Sequence, residues 1–431
     1  MSLALAAPVK NTNSVTANSA KKEVGSMAVG ELTLPEFNAI QGLKIGTGSA
    51  GIKKAGRKDL VIFELPAGSH SAGVFTLNAF CAAPVQLAKK YLQQVQPRYL
   101  IINTGNANAG TGHQGLLDAE RTCVEVASLL GCRPEEVLPF STGVIGEPLP
   151  MERLLAGLPS AIADLNDLGW AAAASGIMTT DTLPKGATAR CEIQGQEVRI
   201  SGIAKGAGMI KPDMATMLGF IATDASLSQP LLKKLLKQSC DVSFNRITID
   251  GDTSTNDSCI LMATNQGPLL SENQPDDLAR FVEALNQVMQ DLALAIVRDG
   301  EGATKFVRIQ VEQAASQKEA LSVAYTVAHS PLVKTALYAS DANWGRILAA
   351  VGRAPGLEEL KVEGVTVYLG DVLLVEQGGR AASYTEEAGS AVMQEAEITL
   401  RIQLGRGQHC EDVWTCDFSH DYVTINADYR T

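Results

Sequence analysis

Midway along a chain of 431 residues, one stretch gathers most of the groups that could do chemistry: Lys205-Gly-Ala-Gly-Met-Ile-Lys-Pro-Asp-Met-Ala-Thr216-Met-Leu-Gly-Phe220. Gly206 and Gly208 let the backbone beside Lys205 take shapes that a side chain forbids. Pro212 fixes its own φ and pushes Lys211 out of the helical region. Ala215 leaves its carbonyl carbon little guarded, and the Thr216 hydroxyl follows directly. Attack by that hydroxyl would turn the Ala215–Thr216 peptide into an ester, and water would open it. The new chain would begin at Thr216, with an α-amine of pKa about 7.7–8.0 next to its own hydroxyl. Such an amine is the base that a threonine nucleophile needs. The alternative is structural: Met214, Thr216 and Leu218 share one face of a strand, and the threonine pairs or packs there.

Other words along the chain carry polar groups at turns. In Phe140-Ser-Thr-Gly-Val-Ile-Gly146, Thr142 offers a hydroxyl and Gly143 an unshielded N–H. Two converging donors are what a tetrahedral oxyanion needs, and losing one costs about 3–4 kcal/mol of barrier. A plain Ser-Thr-Gly turn is the competing reading. Thr179-Thr-Asp-Thr182-Leu-Pro-Lys185 reads as a loop at the edge of a site. Glu301 lies between two glycines, placed to meet an ammonium group or simply to face solvent. Asn103-Thr-Gly-Asn-Ala-Asn108 follows a strand, but no Gly-Lys-Ser/Thr comes after it, so a nucleotide site is disfavoured. Asp250 and Asp252 flank Gly251. A divalent ion there would need further oxygens, and a hydrogen-bonded turn framing a site is the better reading. Asn426 to Thr431 is too specific for a loose end and is expected to dock.

The elements that must position these groups alternate between strand and helix. Strands are expected at 60–65, 73–77, 98–102, 217–223, 247–250, 306–311 and 398–404, with alternating strands over 360–374. The run 217–223 should be buried on both faces. Helices are expected at 84–94, 114–130, 150–163, 231–239, 276–297 and 383–395, and one starts near Ser340 with Asp341 or Asn343 as cap. A hairpin is expected over 190–204, and another from 413–418 and 422–426. The fold class is α/β, with layered mixed sheets covered by helices and two lobes meeting at the 215/216 junction. Residues 1–30 read as a mobile tail or a targeting segment, 31–215 as a first chain region and 216–431 as a second, beginning at the nucleophile.

Composition sets the limits. The chain is 45% hydrophobic and 19% charged, with net charge −11, as suits a globular protein with an ample core. The acidic balance and the lack of a basic patch disfavour nucleic acid. No apolar run approaches the roughly 20 residues of a membrane span. Eight cysteines without a Cys-x-x-Cys pair and five histidines disfavour a metal cage. They point instead to buried thiols in a reducing compartment, the cytoplasm.

Taken together, the words around Lys205 and Thr216, with Ser141-Thr-Gly-Val-Ile-Gly146, Met178-Thr-Thr-Asp-Thr182, Asp250-Gly-Asp-Thr-Ser-Thr-Asn-Asp257, Ser340-Asp-Ala-Asn-Trp-Gly-Arg346 and Asn426-Ala-Asp-Tyr-Arg-Thr431, resemble the glutamate N-acetyltransferase/ornithine acetyltransferase family of arginine biosynthesis. The likeness spans nearly the whole chain after the first thirty or so residues. It implies self-cleavage between Ala215 and Thr216, and an acetyl group moved from N-acetylornithine to glutamate through an acetyl-threonine. It also implies an oxyanion hole from Thr142 and Gly143, and a substrate site of Thr182, Lys205, Thr216, Glu301, Asn426 and Thr431. Thr179 and Thr180 are close rivals to Thr182. No cofactor or metal is implied; acetyl-coenzyme A is a possible second donor. The expected partners are small-molecule substrates and the chain's own two halves, as two α and two β chains. An amidase or aminopeptidase of the same nucleophile, with water as acceptor, is the alternative.

Overall fold

The computed structural model describes residues 28–211, 217–357 and 359–428. Ala215, Thr216, Thr431 and all but the last three residues of the expected tail therefore lie outside the described residues. Two sheets pack face to face. The first has four strands in the order Lys44–Gly48, Leu60–Glu64, Tyr99–Asn106 and Val137–Val144, the last two parallel. The second has five, in the order His70–Phe75, Ser258–Ala263, Leu218–Thr223, Gln196–Lys205 and Lys185–Ile193. Between the sheets the Phe220 ring lies 5.5 Å from Phe63 and 5.2 Å from Phe140. Helices Gly112–Leu130 and Met151–Ala163 share the first sheet's core. Helices Gln229–Val242 and Pro275–Arg298 share the core on the far side of the second. The result is a helix–sheet–sheet–helix sandwich.

Leu218–Thr223 sits in the middle of the second sheet, parallel to Ser258–Ala263 and antiparallel to Gln196–Lys205. Leu218, Phe220 and Ala222 belong to the inter-sheet core, and Ile221 to the core under the outer helices. Burial on both faces is why this run is apolar without alternation. Each large side chain so buried contributes about 1.5–3 kcal/mol. Strands from both sides of position 215 lie in this one sheet.

A six-stranded sheet, built mainly from Thr366–Leu369, Glu397–Gln403, Phe306–Ala314 and His409–Cys416, forms a further core with helices Gln317–Ala328 and Trp344–Gly352. Asn343 caps the latter, accepting from the Arg346 N–H. The hairpin Lys185–Ile193/Gln196–Lys205 closes on Gln194 and Gly195, both at positive φ (52° and 72°), as a two-residue turn requires.

Two expected strands are absent. Residues 247–250 make only a single bridge, Ile247 to Trp414. The segment 422–426 is not the second arm of a hairpin but part of the helix His420–Asp428. Its β-branched residues favour a strand, yet Val423 is 66% exposed and no sheet edge meets it. Docking decides instead: Gly302 lies so close that a Cβ there would meet Ser419 Oγ and Tyr422 N at 2.6 Å. The expected strands of 360–374 begin only at Thr366.

Candidate active site

The strand ends converge on one cavity. Lys205 ends its strand opposite Leu218, and Leu218 also pairs with Ser258. Across the sandwich, Thr142 and Gly143 lie near the end of Val137–Val144. Together these ends bound a cavity of about 220 Å³, walled by Thr142, Gly143, Thr180, Lys205, Met217, Asp257, Glu301 and Asn426 among others. Met217 is the residue next in sequence to Thr216.

Lys205 Nζ donates to Thr142 Oγ at 3.2 Å. A hydroxyl that accepts in this way keeps its own hydrogen for a second partner, so Thr142 can still donate into the cavity. Gly143 belongs to a strand rather than a turn, at φ 138°. A Cβ there would meet the Gly105 carbonyl carbon at 2.3 Å, so only glycine lets the two strands approach so closely. Asn256 holds the floor, donating to the carbonyls of Ala107 at 2.6 Å and Ser141 at 2.9 Å.

Burial governs the charged groups here. Loss of hydration pushes the half-buried Lys205 ammonium below its usual pKa, although Asp181 and Asp257 favour the charged form. Burial likewise drives the Asp257 carboxyl well above the usual range, outweighing its Ser254 hydrogen bonds and Lys205. Asp257 Oδ2 is buried and has no hydrogen-bond partner among the described residues. Among the described residues, Lys205 is the cationic side chain in the cavity wall. Glu301, also raised by burial, accepts from Asn426 Nδ2 at 2.7 Å and hydrogen-bonds Thr180. Its carboxylate lies over Gly208, where a Cβ would meet Oε2 at 2.4 Å. That contact is the reason for glycine in Lys-Gly-Ala-Gly.

A buried ion cluster fixes these groups. Lys185 Nζ lies 2.6 Å from Asp181 and 2.5 Å from Asp299. Asp181 also accepts from the N–H groups of Gly206 at 2.7 Å and Thr179 at 3.0 Å. Burial raises its carboxyl, but Lys185 and Lys205 more than offset this and hold it well below the usual range. One cluster thus ties together the residue after Lys205, the threonine loop, and Asp299, two positions before Glu301.

Of the threonines, Thr179 and Thr180 wall the cavity. Thr182 is outside its lining, with hydroxyl and N–H both on Asp299. Asp250 anchors the approach to the junction: it accepts from Met209 N at 2.6 Å and Ile210 N at 2.9 Å, and lies 3.3 Å from the Tyr422 hydroxyl. It acts as a turn residue, and no group of three acidic, His or Cys residues suited to a metal exists among the described residues. Asp257, Asn256, Lys185 and Asp299 were not singled out from the sequence. The Asp250–Asp257 word contained two of them, and the Thr179–Lys185 word ended on a third.

A cavity so walled, at the end of a helix-covered double sheet, is that of a mixed α/β enzyme. The ArgJ family profile matches residues 44–431, and the chain belongs to that family. The arginine biosynthesis bifunctional protein ArgJ of Pseudomonas fluorescens (strain Pf0-1) is 57% identical over 407 residues, covering 94% of this chain and all of that protein. That of Pseudomonas syringae pv. tomato is likewise 57% identical over 407 residues. Among solved structures, the ArgJ protein of Bacillus halodurans is 39% identical with a TM-score of 0.46, covering 48% of this chain and 97% of that one. Ornithine acetyltransferase of Mycobacterium tuberculosis, solved with ornithine, is 34% identical with a TM-score of 0.37, covering 41% and 94%. No helix among the described residues is long and apolar enough to cross a membrane.

Proposed function

We propose that this arginine-biosynthesis acetyltransferase cuts itself between Ala215 and Thr216 and then moves acetyl from N-acetylornithine to glutamate on the Thr216 hydroxyl. The observation that carries the reading is that Met217, bonded directly to Thr216, is part of the cavity wall shared with Thr142, Gly143 and Lys205. Thr216 Oγ attacks the acetyl carbonyl while the Thr216 α-amine takes its proton. The C–N bond breaks, the proton passes to the departing α-nitrogen of ornithine, and an acetyl ester remains. The α-amine of glutamate attacks the ester, loses a proton to the same base, and Thr216 Oγ regains it. Two moderate barriers replace one high one. Thr142 and Gly143 donate to both tetrahedral oxyanions. Lys205 faces the substrate carboxylate, and Glu301 with Asn426 faces the ornithine ammonium. Thr179 and Thr180 suit the threonine role at least as well as Thr182, and Thr431 completes the pocket. A thioester such as acetyl-coenzyme A could acylate the same hydroxyl. Two α and two β chains in the cytoplasm complete the reading.

The test is direct. Fresh protein should convert from one band to two on a denaturing gel and form N-acetylglutamate from N-acetylornithine. Thr216→Ala should stay one band and transfer nothing. Release of free acetate without N-acetylglutamate would replace the reading with a hydrolase.

A further inference from the structure

The proposed reaction asks one acyl site to serve two amino acids of opposite side-chain charge. Ornithine ends in an ammonium, glutamate in a carboxylate. Glu301 suits the first and opposes the second. A second cavity, also about 220 Å³, lies against the first and shares Gly143, Thr179 and Thr180 with it. Three cations, Lys53, Lys54 and Arg57, line it. Two carboxylates also line it, Asp59 and Asp428. Asp59 is turned to backbone, accepting from Ala50 N at 2.6 Å and Ile52 N at 2.7 Å. Lys53 and Asp428 each already have a partner. Lys54 is exposed, and the Arg57 guanidinium donates to the Met178 carbonyl with other N–H groups to spare. The helix His420–Asp428 lines both cavities, with Asn426 on the first and Ile425 on the second.

We propose that the second cavity reads the side-chain carboxylate of the acceptor. Glutamate brings its α-amine to the acyl-threonine and directs its other carboxylate across Thr179 and Thr180 to Arg57 and Lys54. Ornithine turns its ammonium to Glu301 instead. The two charges sort the two substrates, because each is repelled from the pocket of the other. Arg57 is the stronger reader, since a guanidinium matches a carboxylate with paired donors. The inference rests on the acetyl transfer proposed above.

Steady-state kinetics of the mature enzyme tests it, with glutamate and the uncharged isostere glutamine as acceptors. Arg57→Gln should raise KM for glutamate about 10- to 100-fold. It should raise KM for N-acetylornithine far less, and lower the preference for glutamate over glutamine. Arg57→Lys should restore part of that preference. Lys54→Gln, which disturbs no contact to Met178, should shift the same ratio in the same direction by about two- to fivefold. Equal rises in both KM values, or an unchanged glutamate/glutamine ratio in both variants, would overturn the inference while leaving acetyl transfer standing. Wild-type enzyme that forms no N-acetylglutamate would instead remove the reaction itself.

Discussion

Lys205 carries the electrostatics of the site, and its environment fixes how it responds to pH. Its ammonium is pushed below the ordinary lysine value by loss of hydration. The cation is therefore lost on the alkaline side earlier than that of a free lysine, whose value is about 10.4. A substrate carboxylate bound by Lys205 should leave with that charge. The expected outcome is a kcat/KM for N-acetylornithine that falls as pH rises, beginning below the titration of free lysine. Lys205→Arg, which stays charged through that range, should move the limb to higher pH even if its rate is lower. Lys205→Ala should cost about 10- to 100-fold in kcat/KM. A profile whose alkaline limb is unmoved by Lys205→Arg would mean that another group titrates. At this scale the sequence was most legible: Lys205, Thr142, Gly143, Glu301 and Asn426 were named from it and share one cavity. Asp257 was not, because only burial raises an ordinary carboxyl well above its usual range.

The element on which the proposed self-cleavage would depend is the segment leading to the junction. Asp250 accepts from both Met209 N and Ile210 N, and the Ile210 carbonyl accepts from Thr248 Oγ at 2.8 Å and Ile249 N at 2.8 Å. Met209 is held at φ 54°, where a residue with a side chain rarely stays without such support. If self-cleavage needs this approach fixed, Asp250→Ala should slow it about 10- to 150-fold, since a hydrogen bond to a charged group contributes about 1.5–3 kcal/mol. The half-life of the full-length band measures it. Asp250→Asn, which keeps one acceptor, should fall between, and an unchanged half-life in both variants would show that the anchor is not used. The helix His420–Asp428 teaches a related lesson at the same scale. Tyr-Val-Thr-Ile has strand propensity, but Asn426 on Glu301 and the close fit at Gly302 outweigh it.

For the whole molecule, acid sensitivity should have one identifiable source in His329, between the six-stranded unit and the sandwich. Its ring lies 3.1 Å from Thr248 Oγ. Burial, with Lys211, Lys334 and Arg353 nearby, pushes its pKa down from 6.5 to about 4. Above pH 6.5 both folded and unfolded forms hold it neutral, and stability is full. Between 6.5 and about 4 only the unfolded chain takes the proton, so stability falls as pH falls, by up to about 3 kcal/mol. Denaturant unfolding across this range should show the loss, and His329→Gln should flatten it; an equally steep profile in the variant would assign the loss to carboxylates. The sequence alone determined the α/β class, the doubly buried strand after Thr216, the hairpin before it and the polar words of the site. Those signals are local: periodicity, glycine and proline positions, and runs of apolar residues act over a few neighbours. Only the tertiary structure decided that residues before and after position 215 share one sheet. It alone decided that Lys185 is buried between Asp181 and Asp299, the latter 114 positions away from it. It also set a second, cationic cavity against the first. These depend on which distant surfaces exclude water from one another, and burial is a property of the packed chain rather than of any stretch of it.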